Sequence, residues 1–85
     1  DNTYFTFKLP QLPDELAIRI YTVAGRLVKE IKKSSAELSM HFNRIYWDTN
    51  DQDGNQLANG VYLYKVIAKR NGKSESITQK LAIVK

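Results

Sequence analysis

Eighty-five residues make one small domain, too short to divide into two independent cores. With 42% hydrophobic and 26% charged residues, four Gly and two Pro, the composition excludes a disordered tail and a collagen-like repeat. The absence of Cys removes disulfide frameworks, thiolate nucleophiles and cysteine-based zinc sites, and the +4 formal charge is spread rather than clustered. Lys29, Glu30, Lys32, Lys33 and Glu37 alternate in sign, which reads as a solvated face rather than a nucleic-acid footprint.

Thr3 to Leu9 opens the chain with a strand pattern. Phe5, Phe7 and Leu9 share one phase, Tyr4, Thr6 and Lys8 the other, and Pro10 and Pro13 end it. Its start directly after Asp1, with no secretory signal ahead, is what a piece of a longer protein would show.

Leu16 to Lys33 supports two readings. Leu16, Ile20, Val23, Leu27 and Ile31 fall at helical spacing behind a capping Asp14. Ile18 and Ile20, however, alternate with Arg19 and Tyr21, and Ala24-Gly25-Arg26 interrupts the run where a hairpin would turn. Ser34 to Glu37 matches a capping box, but too little apolar sequence follows for more than one helical turn. Ser34 to His41 therefore reads as a loop.

Arg44 to Asp48 places Ile45 and Trp47 on one face of a further strand. Val61 to Lys69 is nearly continuous in apolar residues, which predicts a central strand covered on both sides. Its apolar stretch contains Lys65, so nothing here spans a bilayer. Asn71-Gly72 is a two-residue hairpin signal, and the return strand from Lys73 to Val84 carries Ile77, Leu81 and Ile83 in one phase. The expected core is Phe5, Phe7, Ile18, Ile20, Leu27, Ile45, Trp47, Tyr62, Tyr64, Val66, Leu81 and Ile83.

Candidate chemistry is sparse. Asp48 to Asn55 gathers acidic and amide side chains beside Gly54, as a calcium loop does. Its register fails, because Thr49 and Gly60 fall where Asp and a bidentate Glu belong. A self-bonded polar turn is the better reading. His41 has no second His or Cys to join it, and no Gly-x-Ser-x-Gly elbow is present. Tyr62, Tyr64 and Trp47 could stack bases or sugars, but large rings also fill the core of a small β domain. No enzymatic activity, cofactor or metal is expected.

Three stretches stand out together: Thr6-Phe7-Lys8-Leu9-Pro10, the run Ile18 to Val28 around Gly25, and Tyr46-Trp47-Asp48 followed by Asp53-Gly54-Asn55 and Asn59-Gly60-Val61-Tyr62-Leu63-Tyr64. They resemble the FlgD-like immunoglobulin-type domains and the related C-terminal sorting domains of type IX secretion cargo. The second stretch is similar to the tail of the gingipain-type peptidase that acts as the type IX sortase. The ending Lys80-Leu81-Ala82-Ile83-Val84-Lys85 is similar to the closing strand of such proteins.

The resemblance implies an all-β, immunoglobulin-like antiparallel β-sandwich of about seven strands, with Leu16 to Lys33 as a hairpin. It implies a non-catalytic C-terminal module of a secreted or surface protein, exported through the periplasm. Two roles follow from it. One is a sorting signal read by the type IX outer-membrane translocon and sortase. The other is a structural or protein-interaction module beside neighbouring domains of the parent protein, such as a peptidase. Gly60, Val61, Tyr62, Lys80, Ile83, Val84 and Lys85 are the matching recognition positions. Neither nucleic acid nor membrane insertion belongs to this expectation.

Overall fold

The computed structural model describes residues 3–9 and 11–84, with His41 described by its backbone alone. Its strands are β1 (Thr3–Leu9), β2 (Glu15–Thr22), β3 (Leu27–Ser34), β4 (His41–Trp47), β5 (Gly60–Arg70) and β6 (Lys73–Ile83). An isolated antiparallel bridge, Asn50 to Gln56, adds a seventh paired segment between β4 and β5. β1 and β4 form one sheet; the other has the order β3-β2-β5-β6, and every pairing is antiparallel. The two sheets meet through a single apolar cluster, with Phe5 of β1 against Tyr64 of β5 at 4.8 Å between ring centroids. This is the expected β-sandwich.

The ambiguous segment is a hairpin. The Thr22 carbonyl accepts the Gly25 N–H at 2.9 Å, the Thr22 hydroxyl accepts the Arg26 N–H at 3.1 Å, and Gly25 takes φ of +96°. That conformation suits Gly and ends the helical alternative. Asn71 and Gly72 both take positive φ, 52° and 77°, as a two-residue hairpin turn requires. One 3-10 turn, Ser35–Glu37, follows β3, and the Glu37 carboxylate accepts the Ser34 N–H at 3.1 Å and the Ser34 hydroxyl at 3.2 Å.

Eight of the twelve expected core residues are buried, and Phe7, Tyr64 and Leu81 pack against them half-buried. Leu27 is the exception, 49% exposed. The register slips between Ile20 and Tyr21, so Ile20 faces Lys29 while Tyr21 faces Leu27. The extra residue is Val28, and this bulge sends Val28 rather than Leu27 into the core. Leu9, Leu16, Ala17 and Leu57 are also buried.

Two further expectations are corrected. β5 is central in its sheet but covered on one face only: Val61 is 52% exposed, with Leu63, Lys65 and Ile67 half-buried. Its apolar continuity reflects shading by β2 and β6 on either side, not a second layer. His41 begins β4 opposite Leu9 rather than lying in a loop. Ile77 does lie in phase with Leu81 and Ile83, yet it is 54% exposed, outside the apolar cluster.

Candidate protein-interaction surface

The expected recognition positions divide between core and surface. Gly60 opens β5 opposite Ile83 with φ of +155°, and nothing lies within 4 Å of where a Cβ would stand. The backbone, not crowding, demands Gly there. Tyr62 is buried, and its hydroxyl donates to the Ala58 carbonyl at 2.8 Å, pinning the entry into β5 as a tyrosine corner does. Ile83 is 3% exposed and belongs to the core. Val61, Lys80 and Val84 are exposed, and Lys85 lies outside the described residues.

Val61 stands on the outer face, opposite Ala82, between the two other recognition positions of its junction, Gly60 and the buried Tyr62. The register then assembles its neighbours: Leu63 pairs with Lys80 on one side and Tyr21 on the other, and Tyr21 pairs with Leu27. Val23 and Val84 follow the last paired residues of β2 and β6 at this same end. Val23, Leu27, Val61 and Val84 are 69%, 49%, 52% and 77% exposed. Single exposed apolar residues are ordinary, but several brought together at one sheet end mark a contact surface. Sequence reading missed Val23 and Leu27, because only the bulge turns Leu27 outward.

One row further along, Arg19 and Lys65 face each other across β2 and β5. The Arg19 Nε donates to the Glu30 carboxylate at 2.7 Å, which raises the Arg19 pKa and holds Glu30 below the usual carboxylate range. Lys32 approaches the same carboxylate at 3.9 Å. The alternating charges of β3 are therefore a solvated ion-pair row. Lys65 and Lys80 enter no ion pair among the described residues.

The aromatic residues considered for stacking fill the core instead. Trp47 is 2% exposed and stacked on Phe5 at 5.9 Å, and Tyr62 is 8% exposed. The exposed rings are others, Tyr4, Phe42 and Tyr46, on the outer face of the β1–β4 sheet. Tyr4 and Tyr46 meet edge to face at 5.6 Å, and the Arg44 guanidinium covers the Tyr4 ring at 3.7 Å. One face of that ring is already occupied, so the pair is no flat platform for a base or sugar.

The Asp48 to Asn55 loop is the polar turn its register implied. Asp51 Oδ1 accepts the N–H groups of Asp53 and Asn55 at 3.0 and 2.9 Å, and Asp48 accepts those of Asn50. The Asp48 and Asp51 carboxylates serve the loop's own backbone. Among the described residues no group of three His, Cys, Asp or Glu side chains is placed to hold a metal ion, and no helix is long and apolar enough to cross a membrane.

The architecture and this surface define a small immunoglobulin-like sandwich with an apolar, cation-flanked outer face. The chain belongs to the FlgD Ig-like domain family, whose family model matches residues 1–72. Its fold matches the crystal structure of FlgD from P. aeruginosa with a TM-score of 0.81 and 21% sequence identity. That match covers 96% of this chain, which spans 62% of the FlgD chain. A search of curated proteins found no match.

Proposed function

We propose that this domain is a structural and protein-interaction module that docks through the outer face around Val61. The observation that carries this reading is the gathering of four exposed large apolar residues, Val23, Leu27, Val61 and Val84, at one sheet end. Family membership agrees with a non-catalytic role. The test is photo-crosslinking in the parent protein's own cells, with a benzophenone side chain at position 61 or 27 and a control at the exposed Asp53. Discrete crosslinked partners at positions 61 and 27 but not at 53 are expected. Equal or absent crosslinking at all three would overturn the reading.

A finer form makes the module a type IX sorting signal on an extracytoplasmic protein, read by the translocon and sortase. Its support is the pattern of Lys80 to Lys85 and the exposure of Lys80 and Val84. Residues 1–85 fused to a periplasmic reporter should then reach the cell surface only in a translocon-competent strain. Truncation should begin at Val84, because removing Ile83 would open the core. A reporter retained in the periplasm leaves the module reading and removes the sorting role.

A further inference from the structure

We infer that the free edge of β6 accepts an extended segment of a partner polypeptide in which acidic and apolar residues alternate. This rests on the interaction-module reading and names a partner for it. β6 ends its sheet, pairs with β5 without a slip from Gly60–Ile83 to Arg70–Lys73, and contains no Pro. No other described segment hydrogen-bonds to that edge. The two-residue turn closes on the Arg70–Lys73 pair, so Ser74, Ser76, Thr78, Lys80 and Ala82 point their N–H and C=O groups outward. A straight, unbulged edge of this kind is a template for strand addition.

Side-chain chemistry selects the guest. On the outer face, Ser74, Ser76 and Thr78 are small, and behind them on β5 stand Lys69, opposite Ser74, and Lys65, opposite Thr78. With Lys80 they give a guest's outward side chains three cations and no acid within one strand of the new pairing. On the inner phase the guest meets Ile77, 54% exposed, and the half-buried Leu81, with the exposed Glu75 and Gln79 beside and between them, so the only acid of β6 lies in this phase. Carboxylates therefore suit one phase and apolar side chains the other. A second copy of β6 is a poor guest. Two-fold antiparallel pairing keeps each phase opposite itself, and the outer phase of β6 holds no acid to meet Lys80.

The test titrates residues 1–85 with capped peptides alternating Val with Asp, or Val with Lys, by calorimetry. The Asp peptide should bind at least roughly tenfold more tightly than the Lys peptide, and Lys65→Glu/Lys80→Glu should reverse that preference. Thr78→Pro removes an outward N–H without touching the β5 ladder, and should abolish binding while leaving the fold's circular dichroism unchanged. Equal binding of both peptides, binding of neither, or full binding by Thr78→Pro would overturn the inference. Concentration-dependent dimerisation lost in Thr78→Pro would assign the edge to a second copy and equally overturn it. A domain that crosslinks partners through position 61 yet ignores these peptides keeps the module reading and loses this one.

Discussion

At one edge of the four-stranded sheet, β3 bulges at Val28 and lies under the Asp48 to Asn55 loop; at the other, β6 runs straight and bare. The loop reaches β3 twice. The Gln52 N–H donates to the Val28 carbonyl at 2.9 Å, and the Gln52 side-chain oxygen accepts the Glu30 N–H at 3.1 Å. Lys29, Glu30, Lys32 and Lys33 line the same strand. Bulge, cover and charge are the usual devices by which proteins refuse edge pairing, and β3 has all three. β6 has only Lys73, Glu75 and Lys80 among its eleven residues. One edge is closed and the other left available, which gives the domain a direction in which to be extended.

The most damaging way to break this difference is at the root of the loop. The Trp47 indole N–H donates to the Asn50 carbonyl at 2.9 Å, and its ring is buried against Phe5. Trp47→Ala removes both the core volume and the anchor. It should cost about 3–5 kcal/mol in urea unfolding, a large share of a small domain's margin. A loss below about 1 kcal/mol would show that the ring is not the keystone of loop and core.

A milder change sharpens the comparison. Gln52→Ala leaves the core intact and uncovers the Glu30 N–H. It should cost about 1 kcal/mol and speed hydrogen exchange at Glu30 more than at its neighbours on β2. The matched change on the open edge, Thr78→Ala, should stay within about 0.5 kcal/mol, because nothing rests on it. Equal losses at both edges would mean that the loop does not seal β3.

Much of this contrast was legible in the sequence, and its gaps are informative. Period-two alternation located Phe5, Ile45 and Trp47, and Asn71-Gly72 announced its own turn, because these signals are local. The choice between helix and hairpin at Leu16 to Lys33 was not local; the alternation of Ile18 and Ile20 with Arg19 and Tyr21 and the break at Gly25 leaned to a hairpin, and only the family resemblance decided it. The bulge that exchanges Leu27 for Val28 depends on pairing with β2, so no count along β3 could reveal it. The apolar run of β5 hid an open face for a similar reason, since neighbouring strands shade a side chain about as well as a second layer. Of the candidate surface, Val61, Lys80 and Val84 were named in advance. Val23 and Leu27 joined them only through register, and the capping of β3 by Gln52 has no sequence signature.

The smallest expected effect concerns the charges that guard the closed edge. Glu30 is held below its ordinary value of 4.5, chiefly by the hydrogen bond from Arg19 and secondarily by the nearby charge of Lys32. A carboxyl whose folded pKa is depressed contributes stability above its unfolded pKa and loses it as pH falls through the folded value. Glu30→Gln should therefore lower the urea midpoint slightly at neutral pH, and the difference should vanish in acid below the carboxylate range. The Arg19 side chain is 42% exposed, so solvent and salt screen the pair and the midpoint shift should shrink further at high ionic strength. Glu37 is lowered too, first by the Ser34 backbone N–H, so the variant should keep a residual acid slope that Glu30→Gln/Glu37→Gln flattens further. Parallel pH profiles for Glu30→Gln and the natural sequence would mean that Arg19 and Glu30 contribute nothing measurable. The defence of β3 would then rest on its bulge and its loop.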